Sequence, residues 1–339
     1  MGGLSRRYVK VMEMKNEGKN PIILDAGDFF FSTTKLNKNN IESEEYRAGA
    51  ILEGYNRIGC DAINIGKYEL LNGLSFLKNM SNMTEIPFLS ANLRDSKTKE
   101  LLFQPYKIIQ RGELSFGVIG ITSLLPDTST TIISDDYIQS GNNYINELSG
   151  KTDVIIMLVN TDRKSQNELA GVFNNADFII TSGSTNLTRT NATQKDGGPY
   201  MFSCGKQGKY LMVVDAEMKD QKLPFVNISN HEKKINNVKK RFERLQKKDP
   251  NKTLEDIYKD QANILKLIDQ YKADLKVSED AISQAKNTVV YQTIGLNRKI
   301  SDDPEILSFV NKSLSTCKTL KPAVKDLKDS KIDHSGHNH

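Results

Sequence analysis

Histidine is scarce in this chain of 339 residues: four in all, none before His231, and three of them within the last six positions. A histidine general base, or a metal held by histidine, therefore has no side chain to draw on in the first 230 residues. Cysteine is scarce too. Cys60, Cys204 and Cys317 lie far apart, without the paired spacing of a zinc ribbon, a c-type haem site or a disulfide framework. No apolar run approaches the ~18 residues that cross a bilayer; the longest, such as Phe116–Ile121, are strand-sized, so an integral membrane protein is not expected. Residues 1–15 hold no apolar run of the kind that forms a signal-peptide core, and no export signal is expected there.

What is present suits a folded domain. Apolar residues make up 37% of the chain and glycine adds 22 positions, enough to build a sizeable core. The length fits one large domain or two modest ones. The net charge of +5 is uneven: residues 1–230 carry −1, residues 231–290 carry +4 and residues 291–339 carry +2. The surplus reads as a solvated helical face, and nucleic-acid binding is not expected.

Over residues 1–220, helical and strand patterns alternate at α/β spacing. Helices are expected at Leu4–Glu17, Glu44–Ile58, Leu70–Lys78 and Ser165–Phe173. Strands are expected at Pro21–Ala26, Ala62–Ile65, Pro87–Ala91, Leu101–Ile109, Phe116–Thr122, Asp153–Val159 and Asp177–Thr181. Tyr200–Cys204 and Tyr210–Glu217 read as a hairpin about Gly205-Lys-Gln-Gly208. Buried strands joined by helices predict an α/β layered sandwich. From Glu232 the pattern becomes helical, with helices expected at about 232–247 and 254–286, broken at Pro250 and restarted by Thr253 as N-cap. The expected division is therefore a domain over 1–220, a helical hairpin or coiled-coil arm over 221–290, a strand and capped helix over 291–320, and a flexible tail over 321–339. Ile257, Ile264, Ile268 and Leu275 are expected to face one apolar surface, either the main domain or a second chain. In the tail, His334, His337 and His339 are weak metal candidates, since nothing around them would preorganise a ligand set.

Six segments in order carry a resemblance: Gly2-Gly-Leu-Ser-Arg-Arg7, Leu24-Asp-Ala-Gly-Asp28, Cys60-Asp-Ala-Ile-Asn-Ile-Gly66, Pro87-Phe-Leu-Ser-Ala-Asn92, Phe116-Gly-Val-Ile-Gly-Ile-Thr122 and Gly205-Lys-Gln-Gly-Lys-Tyr-Leu211. Their order and spacing resemble the catalytic domain of bacterial 5′-nucleotidases, within the calcineurin-like metallophosphoesterases. The resemblance implies a four-layer α/β/β/α sandwich and, in active relatives, two divalent metal ions that hydrolyse nucleotide phosphate esters. It further implies a cell-envelope, periplasmic or extracellular setting.

Carried over position by position, the metal set is incomplete. Asp28 matches the bridging carboxylate. The family's Gly-Asn-His-Glu turn reads Gly66-Lys67-Tyr68-Glu69, so lysine replaces an asparagine ligand and tyrosine a catalytic histidine. Asn160 stands for another histidine, and Ser182-Gly183-Ser184-Thr185 for Gly-His-Ser-His, with Gly183 and Thr185 in the histidine positions. The family's Asp-x-His pair would precede Gly2. Asp28 without those partners reads as a turn carboxylate, and Lys67 as a phosphate binder or a solvated turn residue. A degenerate site with no cofactor is therefore expected, and with it a catalytically inactive binding or structural module. A divergent metal-dependent phosphoesterase and a self-assembling subunit using residues 232–286 are the alternatives. Loss of the metals leaves the Asp28 carboxylate without a counter-charge, which predicts that Lys67 points into the cleft and lies within salt-bridge or water-mediated range of Asp28, with Tyr68 or Asn160 lining the same pocket.

Overall fold

The computed structural model describes residues 3–127, 130–190, 192 and 194–321. The chain opens with α1 (Leu4–Asn16), β1 (Leu24–Asp25), α2 (Ile41–Ile58), β2 (Ala62–Asn64), α3 (Gly73–Asn82) and β3 (Phe88–Leu89). Next come β4 (Leu93–Asp95), β5 (Tyr106–Arg111), β6 (Leu114–Thr122), β7 (Ile132–Ser134), α4 (Tyr137–Leu148) and β8 (Val154–Asn160). The short helix α5 (Leu169–Val172), β9 (Phe178–Ser182), β10 (Tyr200–Ser203), β11 (Tyr210–Glu217) and β12 (Phe225–Asn227) follow. The chain then runs through α6 (Ile228–Gln246), α7 (Leu254–Ile257), α8 (Ala262–Gln284), β13 (Asn287–Gly295) and α9 (Pro304–Thr319).

Strand alternation sorts these elements into layers. All seven residues of β8 are buried. Val154, Ile156 and Leu158 point into one apolar cluster, and Ile155, Met157 and Val159 into another, as the two-residue period of a strand requires. The second cluster is closed by Ile145 and Leu148 of α4 and by Leu169 of α5. The first cluster lies between two sheets, because it also holds Ala62 of β2 and Leu89 of β3. Their neighbours Ile63 and Phe88 face the opposite way, onto Leu52 of α2 and Leu77 of α3. The order is therefore helix, sheet, sheet, helix: the layered α/β sandwich that the strand pattern predicts, in the four-layer α/β/β/α form that the resemblance implies. One sheet is parallel, β1-β2-β3; the other is β10-β9-β8-β6-β5, parallel except for the β5–β6 hairpin.

Several local expectations are corrected. The hairpin expected over 200–217 does not form. β10 runs parallel to β9, Tyr200 opposite Phe178, while β11 pairs antiparallel with β13, Tyr210 opposite Gly295. Gly205 and Gly208, both at positive φ, turn the chain from one sheet to another. β1 shortens to two residues, and the helix expected over 165–173 divides into a 3-10 turn at 165–167 and the single turn α5. Helix α4, which the hydrophobic pattern does not announce, is capped by Asp136, whose side chain accepts the Gln139 N–H.

Beyond residue 220 the chain both leaves and returns. Thr253 caps only α7, accepting the Asp256 N–H at 3.1 Å, and α8 starts at Ala262 rather than at 254. Tyr258 tucks in between the two, its hydroxyl donating to the Leu245 carbonyl at 3.0 Å. α6 and α8 lie side by side, with Phe242 and Tyr271 rings 6.1 Å apart. Ile268 is buried, while Ile257, Ile264 and Leu275 are half-buried. β12 and β13 form a three-stranded sheet with β11, so residues 225–227 and 287–295 contribute to the central cluster through Phe225, Val289 and Tyr291. α9 lies against α1 and α2: Ser5 Oγ donates to the Asp303 carbonyl at 3.1 Å and Ser43 Oγ to that of Cys317 at 2.8 Å.

Candidate functional site

Three strand ends converge on one carboxylate. After β1, Gly27 and Asp28 both adopt positive φ, 96° and 68°, and reverse the chain. Only glycine fits the first position, because a Cβ there would meet the Gly66 nitrogen at 2.6 Å. Gly66, after β2, is equally confined: its Cβ would lie 2.6 Å from Asp28 Oδ1 and 2.9 Å from Asn160 Nδ2. The two loops and the end of β8 are thus packed backbone against side chain.

Glu69 organises this packing. Wholly buried, its Oε2 accepts the N–H groups of Asp28 at 2.7 Å and Gly66 at 2.9 Å. Oε1 accepts those of Phe29 at 2.8 Å and Phe30 at 3.1 Å. One carboxylate therefore satisfies four backbone donors from the two loops that follow β1 and β2. Burial, with the Asp28 charge beside it, pushes the Glu69 pKa up to about 7, against the pull of those donors.

Asn160 makes the second set of links. Its Oδ1 accepts the Lys67 N–H at 3.1 Å, and its Nδ2 donates to Ser182 Oγ at 2.7 Å. Ser182 Oγ passes the link on to the Ala26 carbonyl at 2.6 Å. Asp28 Oδ1 accepts the Tyr68 N–H at 2.9 Å. Burial raises the Asp28 pKa; the Tyr68 N–H, the Asn160 side chain, the Lys67 charge and the Gly183 N–H pull it back. Burial and the Asp28 charge together raise the Tyr68 hydroxyl.

Of the residues singled out in sequence, Asp28, Lys67, Tyr68, Asn160 and Gly183 meet here. Thr185 does not; it is exposed, past a turn in which Ser184 Oγ bonds Gln166 Oε1 at 2.9 Å. The tail candidates His334, His337 and His339 lie outside the described residues. Of the salt-bridge or water-mediated approach expected of Lys67 toward Asp28, the direct ion pair is not formed among the described residues. The Asp28 carboxylate is met by backbone amides and Asn160, and Lys67 acts on it only through its field.

The oxygen donors of this cluster are engaged within the protein. Asp28 Oδ1 is engaged by the Tyr68 N–H, and the Glu69 carboxylate beside it by four backbone amides. The Asn160 oxygen, the other hard donor, is engaged by the Lys67 N–H. The Lys67 charge acts on the Asp28 carboxylate, and no cluster of three or more His, Cys, Asp or Glu side chains occurs among the described residues.

A second buried polar group lies behind β1. Tyr55 donates its hydroxyl to Asp25 Oδ2 at 2.5 Å and accepts from Arg7 at 2.9 Å, while the Gly27 N–H donates to Asp25 Oδ1 at 2.8 Å. The Asp25 pKa is raised by burial, and that of Arg7 is raised by Tyr55 and Asp25 against its own burial. This brace ties α1, α2 and the start of the Asp28 turn together. The sequence signals it only as the arginine pair after Gly2-Gly3.

No protein-family model matches the chain. Protein UshA of Escherichia coli is 33% identical over 111 residues, covering 33% of this chain and 19% of that protein. The 5′-nucleotidase of Homo sapiens is 24% identical over 247 residues, 69% of this chain and 42% of that one. The chain thus spans from a fifth to under half the length of these curated relatives. Among solved structures, the calcineurin-like phosphoesterase YfkN of Bacillus subtilis has a TM-score of 0.62 at 16% identity, covering 94% of this chain and 90% of that one. The 5′-nucleotidase precursor of Thermus thermophilus has a TM-score of 0.56 at 20% identity, covering 66% and 47%.

Proposed function

This chain carries a 5′-nucleotidase-like metallophosphoesterase domain, and from that premise we propose that the domain is a catalytically inactive binding or structural module. The observation that carries the reading is the double engagement of Asn160. At a position where the family resemblance places a metal-binding histidine, its amide joins the Lys67 turn to Ser182. Two-metal hydrolysis needs a bridging carboxylate with free lone pairs, neutral ligands around it and a nucleophilic water between the ions. Here the carboxylate is turned to amide donors, and the neighbouring charge is an ammonium. The polar network does what the ions would otherwise do for the fold: it neutralises and orients the strand-end loops. The same resemblance supports a cell-envelope or extracellular setting.

Thermal unfolding of the purified chain across a Mn²⁺ titration tests the reading. The expected result is a midpoint that does not move. A concentration-dependent rise that Asp28→Asn abolishes would overturn it.

A further inference from the structure

Between Ile228 and Lys248 the chain holds eight Lys/Arg and two Glu, a local net charge of +6 against +5 for the whole protein. All eight basic side chains are exposed, and among the described residues none of the eight forms an ion pair. Arg241 and Lys248 are engaged in another way, over the rings of Tyr271 at 4.8 Å and Tyr258 at 5.0 Å. Of the six that are left, Lys233, Lys240, Arg244 and Lys247 stand at spacings of seven, four and three, which places these four on one helical face. At 1.5 Å per residue that stripe is about 21 Å long. Val238 is buried and Ile235, Phe242 and Leu245 half-buried on the opposite face, toward α8. α8 itself is balanced, with three lysines against four acids.

Six unpaired like charges on one helix repel one another and lower its stability in isolation. A second copy of the same face would add repulsion, which excludes a symmetric α6-to-α6 dimer. The occupant must be anionic. Five of the six are lysines, compact hydrated charges that suit a diffuse anionic layer, whereas recognition of individual phosphates favours the bidentate arginine fork. The stripe carries no exposed aromatic ring for stacking on a base, as Phe242 and Tyr271 are turned into the α6–α8 contact. A straight helix laid on a plane also brings all the cations to the surface together. We propose that the outer face of α6 docks the protein on an anionic phospholipid bilayer, lying on the headgroups without insertion. The apolar side of α6 is already used by α8, and no helix among the described residues is long and apolar enough to cross a membrane.

Cosedimentation of the full chain with vesicles tests this. Phosphatidylcholine vesicles containing phosphatidylglycerol should bind it, pure phosphatidylcholine vesicles should not, and binding should weaken as salt is raised. Lys240→Gln alone should lower the affinity about fivefold, and the quadruple variant K233Q/K240Q/R244Q/K247Q by more than about 100-fold. A control variant K35Q/K38Q/K97Q/K107Q, which removes the same charge from exposed sites elsewhere, should bind within about twofold of wild type. The single variant keeps the test valid if the quadruple one unfolds. No binding to anionic vesicles, equal losses in the two quadruple variants, or tighter binding to duplex DNA than to vesicles at the same salt would each overturn the proposal.

Discussion

The Lys67 backbone N–H donates to Asn160 Oδ1 at 3.1 Å, locking the loop after β2 to the end of β8 across 93 residues of sequence. Asn160 is completely buried, so none of its bonds is shared with solvent.

Asn160→Ala therefore strands the Lys67 N–H and removes the donor to Ser182 Oγ in one step. The expected cost is about 2–4 kcal/mol of unfolding free energy. Chemical denaturation measures it; a loss below about 1 kcal/mol would show that the two loops are held by other means.

Lys67→Met removes the positive charge that helps to hold the Asp28 carboxyl down. The Asp28 pKa, already raised by burial, should rise further, as read by carboxyl-carbon NMR titration. An unchanged Asp28 titration would mean that the Lys67 ammonium is fully screened by water.

Glu69 sets a pH dependence. Its folded pKa is about 7, whereas an unfolded glutamate titrates near about 4.3. Between these values the folded chain holds a proton that the unfolded chain has released, so this group's contribution falls as pH rises and levels off above about 7. Denaturant midpoints of wild type and Glu69→Gln, compared from about pH 5 to about pH 8, should show wild type losing stability relative to the variant as pH increases. A relative gain would contradict the burial argument.

The Arg7–Tyr55–Asp25 brace predicts an asymmetric pair of mutants. Arg7→Met leaves Asp25 buried with one positive neighbour fewer and should cost about 3–5 kcal/mol. Tyr55→Phe removes one hydroxyl that serves both partners and should cost about 1–3 kcal/mol. Equal, small effects in thermal unfolding would place the brace in solvent.

Much of the layered fold was legible because its strands are short apolar runs with few alternatives: Val154–Val159 and Phe116–Ile121 fit nothing but buried strands. Partner choice was less legible. Tyr200–Cys204 and Tyr210–Glu217 have the glycine-flanked look of a hairpin, yet their partners are Phe178–Thr181 and Thr288–Gly295, a choice made by long-range packing. α4 escaped because Gln139, Ser140, Gly141, Asn142 and Asn143 read as loop, although Ser140 and Gly141 are buried beside Ile145 and Leu148. In the site, Asp28, Lys67 and Asn160 stand at strand ends where ligands gather, so motif positions revealed them. Glu69 did not stand out. A glutamate in a turn reads as solvated, and its four donors come from Gly66 and from a loop some 40 residues earlier.

The central claim is that the strand-end cluster around Asp28 no longer performs two-metal hydrolysis, and the initial rate of phosphate release from a nucleoside 5′-monophosphate in excess Mn²⁺ measures it directly. The account predicts a rate indistinguishable from that of buffer with metal alone, and the same rate for Asp28→Asn. Metal-dependent turnover that Asp28→Asn abolishes, with two ions retained per chain after gel filtration, would contradict it.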